Sequence, residues 1–275
     1  MGKRLSTICL WLASSALAAP VASAAEYLCY LPGANGLTDY MRGPISKILL
    51  TRGVPFLVFD PGEVGTVEQR SQKFLRQFAA ILKTDPTAKC HLFGYSMGGL
   101  VARWSLSHGV VAAPGGNEAL RDRVLSLSTA ASPHFGTPLA RILRRYWTSA
   151  APGVEELSEE IVQHFNDPTH RDYSPAIEGM PTYSYRTYIT RKEDADDPLA
   201  LIGFQLIWQD RTQRGLDPLN DGIVPTEHQG FGEVLGDLNI SHGYFHHETG
   251  FRVRLEDFME AHWSFLTRGT KPLLF

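Results

Sequence analysis

Short apolar runs ending in turn-forming residues alternate along the chain with stretches whose apolar residues return every three or four positions. Residues 27–31, Tyr-Leu-Cys-Tyr-Leu, run into Pro32-Gly33 and read as a buried strand. Residues 55–59, ending at Asp60-Pro61-Gly62, read as another, and residues 39–50 between them have helical spacing. Thr66, with Gln69 three positions on, has the form of a capping box. Phe74, Phe78, Ile81 and Leu82 make the apolar stripe of the helix it opens, and Pro86 lies just beyond its end. Residues 90–93, 124–129, 182–189 and 234–240 are further candidate strands, and 98–108 a helix ended by Gly109. Leu255, Phe258, Met259, His262 and Phe265 recur at helical spacing in a closing helix over 255–266. Strands alternating with helices predict an α/β protein, with a mostly parallel sheet and helices on both faces.

Residues 138–181 break this rhythm and are too long for an ordinary connection. Thr137-Pro138 is a helix start. Leu139, Ile142, Leu143 and Tyr146 share one face, with Arg141, Arg144 and Arg145 around it. Residues 155–165 form a second amphipathic piece, with Leu157, Ile161 and Phe165 on one side. The stretch is either a helical, lid-like insertion or a set of plain packing helices.

A chain of 275 residues, 43% of them hydrophobic, can bury one large core. The net charge of −3 is spread without blocks, so no basic face marks a nucleic-acid partner. Residues 1–24 have the form of a secretory signal: Lys3 and Arg4, an apolar run over 5–17, then Ala22-Ser23-Ala24 as a cleavage site. The run falls short of the roughly 20 residues that span a bilayer, and no later stretch qualifies as a transmembrane segment. Export to the periplasm or beyond is expected, with 25–275 as the mature domain. Cys9 would leave with the signal. Cys29 and Cys90 then remain in an oxidising compartment, as a disulfide or as two buried thiols.

The sharpest chemical signal is Gly94-Tyr95-Ser96-Met97-Gly98. An apolar strand runs into this Gly-x-Ser-x-Gly pentapeptide and a small-residue helix runs out of it, which is the setting of a nucleophile elbow. The turn would lift the Ser96 hydroxyl above the sheet at a helix N-terminus, which favours developing negative charge. A serine needs a base, and the base needs a carboxylate to fix its tautomer. Asp221, in Asn220-Asp221-Gly222, is the candidate acid, although Asn-Asp-Gly is also a plain tight turn. Ser241-His242-Gly243-Tyr244-Phe245-His246-His247 offers three histidines. His242 is the preferred base because it follows the last strand directly, with His246 as the alternative if that strand runs longer. Oxyanion donors are expected from the Met97 amide and, in the turn after the first strand, from Ala34.

These segments resemble the bacterial true-lipase family, the secreted triacylglycerol lipases. Leu31-Pro32-Gly33-Ala34 looks like its oxyanion turn, with Pro32 where the family usually has His. Residues 94–103 look like its elbow and helix, and Ala131-Ser132-Pro133-His134-Phe135-Gly136-Thr137-Pro138 like its Ser-Pro-His-x-Gly-Thr block. Asn220-Asp221-Gly222-Ile223-Val224 and Ser241-His242 look like its acid and base turns. The resemblance implies an α/β-hydrolase fold and a serine hydrolase acting on carboxylic esters, lipid esters foremost, with no cofactor. An acyltransferase, thioesterase or polyester depolymerase with the same triad, or a hydrolase fold used only for binding, are the competing readings. The family commonly has a calcium-binding aspartate two residues after its base. Here Tyr244 stands there, so no metal is expected. In this fold the strand before the oxyanion turn lies beside the strand before the elbow, which places Cys29 and Cys90 at similar heights.

Overall fold

The computed structural model describes residues 25–34, 41–60, 62, 65–146, 152–245 and 254–270. The expected signal at 1–24, with Cys9, and the alternative bases His246 and His247 lie outside them. In chain order the elements are β1 (Glu26–Leu31), α1 (Ser46–Thr51), β2 (Phe56–Val58), α2 (Val67–Thr84), β3 (Lys89–Tyr95) and α3 (Met97–His108). A hairpin of β4 (Val110–Ala113) and β5 (Gly116–Ala119) precedes β6 (Val124–Ala130). Then come α4 (Pro138–Tyr146), α5 (Pro152–Glu155), α6 (Glu159–Asn166), β7 (Thr182–Tyr188), α7 (Pro198–Gln213), β8 (Glu233–Asn239) and α8 (Leu255–Arg268).

The main sheet runs β2-β1-β3-β6-β7-β8, with every neighbouring pair parallel. Successive side chains on a strand point to opposite faces, so each strand feeds two cores. On β1, Cys29 and Leu31 enter the core that holds α2 and α3. Leu28 and Tyr30 enter the one that holds α1 and α8. The predicted capping box at Thr66 and Gln69 opens α2, with both reciprocal hydrogen bonds made. Phe74 and Phe78 of α2 are fully buried, and Phe59 meets the edge of the Phe74 ring at 4.8 Å. Truncating either phenylalanine to alanine removes roughly 3–5 kcal/mol of packing.

The chain leaves β1 for β2 on one side and then crosses to β3 on the other. At such a switch point the crevice outside the carboxyl ends of the strands is the natural ligand site of an open parallel sheet. Here it lies between the turn after Leu31 and the turn at Ser96.

Cys29 and Cys90 form a disulfide that cross-links these two strands, with Cα atoms 5.9 Å apart. The expected similar heights hold to within two residues: Cys29 pairs with Leu92 and Cys90 with Tyr27, so the disulfide spans a diagonal offset. The offset arises because Leu31, not Gly33, stands beside Gly94.

Two elements carry no signal in the hydrophobic pattern. Helix α7 is apolar on all sides: Ala200, Gly203, Phe204 and Ile207 are buried while Leu199, Leu201, Ile202 and Trp208 are exposed. No stripe marks it, although Asp197 caps its start and Pro198 opens it. The β4–β5 hairpin turns at Gly115 and Gly116, both at positive φ; its strands have four residues each, and β5 carries Asn117 and Glu118 in place of an apolar run. In the insertion, the predicted helix at 155–165 breaks into α5 and α6. Arg103 of α3 ties the far part down, donating to the Ser174 carbonyl at 2.7 Å and to Asn166 Oδ1 at 2.8 Å.

Candidate active site

Ser96 occupies a backbone conformation, φ 52° and ψ −127°, that costs a side-chain-bearing residue about 1–3 kcal/mol and survives only when its surroundings hold it. They do so here. Its amide donates to the Ala130 carbonyl at 2.9 Å, which ties the elbow to β6. Gly98 lets the first turn of α3 touch the end of β1: a side-chain carbon there would lie 2.1 Å from the Leu31 carbonyl oxygen. The helix N-terminus thus comes up directly behind the Ser96 hydroxyl.

The structure brings Ser96, His242 and Asp221 together from β3, the turn after β8 and the turn before Thr226. His242 Nε2 lies 2.9 Å from Ser96 Oγ, and His242 Nδ1 lies 2.8 Å from Asp221 Oδ2. With its proton on Nδ1, the imidazole donates to the carboxylate and accepts from the serine hydroxyl. Asp221 has no exposed surface. A buried carboxylate needs its acceptor sites filled, and donors surround this one. Ile223 N at 2.9 Å and Val224 N at 2.8 Å serve Oδ1, while Thr187 Oγ1 at 2.6 Å and Gln229 Nε2 at 3.3 Å join the imidazole at Oδ2. The Asn-Asp-Gly segment is a tight turn as well, since Asn220 Oδ1 accepts from Gly222 N at 2.9 Å.

Three residues without a sequence signal hold this set in place. Tyr95 donates its hydroxyl to the backbone carbonyl of His242, and its ring lies 5.4 Å from the imidazole. Burial, with a smaller contribution from Tyr30, pushes the Tyr95 phenol well above its usual value, so it remains a donor. Asp196 accepts from Ser241 Oγ at 2.5 Å, and Gly243 leaves room for the same carboxylate, whose Oδ2 would sit 2.3 Å from a side-chain carbon there. The base turn is therefore gripped on both sides of His242. Arg70 of α2, almost completely buried, donates to the carbonyls of Gly33 at 2.5 Å, Ala34 at 3.1 Å and Gly62 at 2.9 Å. Burial lowers its guanidinium to about 10, which leaves it charged at neutral pH.

Arg70 faces the carbonyl side of the turn that carries Ala34, and Ala34 lines the same cavity as Ser96 and His242. Met97 follows the serine as the first residue of α3. Tyr244, two residues after the base, is buried in an apolar core, and one carboxylate oxygen of Asp196, Oδ1, accepts from Ser241 Oγ. Among the described residues no group of His, Cys, Asp and Glu is arranged to hold a metal, and no helix is long and apolar enough to cross a membrane.

No family model matches the sequence, and none of the curated proteins does. Solved structures do match in shape. Clostridium botulinum EstA aligns over 90% of this chain and 88% of its own, with a TM-score of 0.67 and 15% identity. Lipase 1 of Pelosinus fermentans aligns over 88% and 98%, at 0.63 and 16%. The mature lipase BlEst2 of Bacillus licheniformis aligns over 80% and 85%, at 0.61 and 16%. The fold is that of the α/β-hydrolases, as these neighbours and the parallel sheet with helices on both faces show.

Proposed function

We propose that this chain is an exported serine hydrolase that cleaves carboxylic esters through an acyl-enzyme on Ser96. The observation that carries the reading is the hydrogen-bonded line from Ser96 Oγ through the imidazole of His242 to the buried Asp221. In the first half-reaction Ser96 Oγ attacks the ester carbonyl while His242 Nε2 takes its proton. The resulting imidazolium is stabilised by Asp221 and its ring of donors. The oxyanion settles against the amides of Met97 and Ala34. As the tetrahedral intermediate collapses, His242 returns the proton to the leaving alcohol. Water then repeats the sequence on the acyl-enzyme, releasing the acid and restoring Ser96.

Lipid esters are the substrate class that the lipase and esterase neighbours favour. Residues 1–24 serve as the export signal in this reading. Within 138–181, α4 and α5 roof the serine, while Arg103 anchors the remainder. Ester turnover by Ser96→Ala tests the function. The variant should fold as the parent does and lose a factor of roughly 10⁴ to 10⁶ in rate. Retention of more than a few per cent of the parent activity contradicts the proposal.

A further inference from the structure

We propose that the site selects short acyl groups of about four to six carbons, with the alkyl chain lodged in the cavity beside Ser96. The inference rests on the assignment of Ser96 as nucleophile and narrows the substrate class. The cavity holds about 130 Å³. An apolar protein cavity of about 150 Å³ takes one benzene ring, so the space here matches about six carbons at most. A long fatty acyl chain exceeds the space that the described residues enclose.

The walls fit that occupant. Leu139, Ala140 and Leu143 of α4, Val154 of α5, Leu157 and Ile223 supply an apolar lining. Of the polar groups in the wall, Thr137 Oγ1 donates to the Ile223 carbonyl, and one oxygen of Asp197, Oδ1, accepts from Ala200 N. Against these leucine, alanine, valine and isoleucine side chains an acyl group with hydroxyls or charges would give up water without replacement, whereas a plain alkyl chain gives up nothing. Nor do the walls yield readily. Leu139, Ala140 and Leu157 are buried, and the Thr137 amide bonds the Leu157 carbonyl at 2.8 Å, which fixes the start of α4 to the segment after α5. Each methylene that fits such a lining raises kcat/KM roughly four-fold. Beyond the capacity of the cavity the gain ends, and crowding reverses it.

The test measures kcat/KM on p-nitrophenyl esters from acetate to palmitate, kept below their aggregation concentrations, and on butyrate esters of alcohols of increasing length. The parent enzyme should peak at butyrate or hexanoate, fall about ten-fold or more by decanoate, and respond little to alcohol length. Leu143→Ala, which removes a half-buried part of the wall, should move the peak to longer acyl chains. Ala140→Leu should move it toward acetate. A parent profile that rises to dodecanoate or palmitate, or that follows the alcohol instead, overturns the proposal. So does a folded Leu143→Ala enzyme with the parent profile. Absence of turnover on every ester, with no labelling of Ser96 by a fluorophosphonate, would overturn the hydrolase reading as well. A labelled enzyme with the wrong profile sinks the chain-length inference alone.

Discussion

Tyr95, the residue immediately before Ser96, donates its hydroxyl to the backbone carbonyl of His242. The end of β3 and the elbow that follows it therefore both hold the base and present the nucleophile. Tyr95→Phe keeps the ring and removes that bond, leaving a buried carbonyl short of a donor at about 1–3 kcal/mol. The variant should lose stability by that amount and kcat by between ten- and a hundred-fold, as small misplacements of catalytic groups do. Denaturant melts and ester kinetics check both; a parent-like kcat would remove Tyr95 from the positioning machinery.

Arg70 should matter to rate more than to substrate binding. Its fork holds the carbonyls of Gly33 and Ala34, and so the turn from which one oxyanion donor is expected. Arg70→Ala should cost kcat about 10²-fold, the scale of a lost oxyanion donor, with KM little changed. Arg70→Lys should recover only part, because an ammonium cannot serve several carbonyls in one plane. Equal kinetics for the parent and both variants would show the contact to be structural only.

Acid stability should be limited by buried histidines. His262 is fully buried, and burial foremost, with the charge of His91, lowers it to about 3 from an ordinary 6.5. The unfolded chain therefore binds a proton that the folded chain refuses. Stability should be complete above about pH 6.5 and fall as pH drops toward 3, by about 1.4 kcal/mol per pH unit for this residue alone. His262→Gln can keep the hydrogen bond to Tyr185 but does not titrate in this range. Urea midpoints measured from pH 8 to pH 4.5 should show a shallower slope for the variant, and identical slopes would contradict the assignment.

The bond between Cys29 and Cys90 closes a loop with a sequence separation of 61. Chain-entropy arguments give such a cross-link about 4 kcal/mol of stability. The double variant Cys29→Ala, Cys90→Ala should be less stable by about that much while keeping its triad chemistry. Thiol titration of the denatured, unreduced protein should find neither cysteine free, and two free thiols would show the bond absent.

The parts of the site written locally could be read from the sequence. Ser96 announces itself because an elbow needs glycines on both sides within five residues. Asp221 and His242 stand in short turns directly after or between strands, where chain order suffices to propose them. Arg70, Tyr95 and Asp196 could not be read this way, because each acts across the fold: Arg70 Nη2 reaches the Gly33 carbonyl over 37 positions, and Tyr95 reaches His242 over 147. Tyr95 also sits at a variable position of the motif, where its identity signals nothing. Helix α7 eluded the periodicity because its exposed side is as apolar as its buried side. The two-residue offset between Cys29 and Cys90 is not legible for a related reason: spacing to a turn does not fix strand register, which depends on where each turn begins.

The central claim, that His242 activates Ser96 for attack on an acyl carbon, is tested most directly by covalent capture. A fluorophosphonate probe reacts rapidly only with a serine that a neighbouring base has activated. Mass spectrometry of the digested, labelled protein should place the adduct on Ser96. His242→Ala should slow labelling by several orders of magnitude, while His246→Ala and His247→Ala label at the parent rate. An adduct on another residue, or undiminished labelling of Ser96 in His242→Ala, would contradict the account.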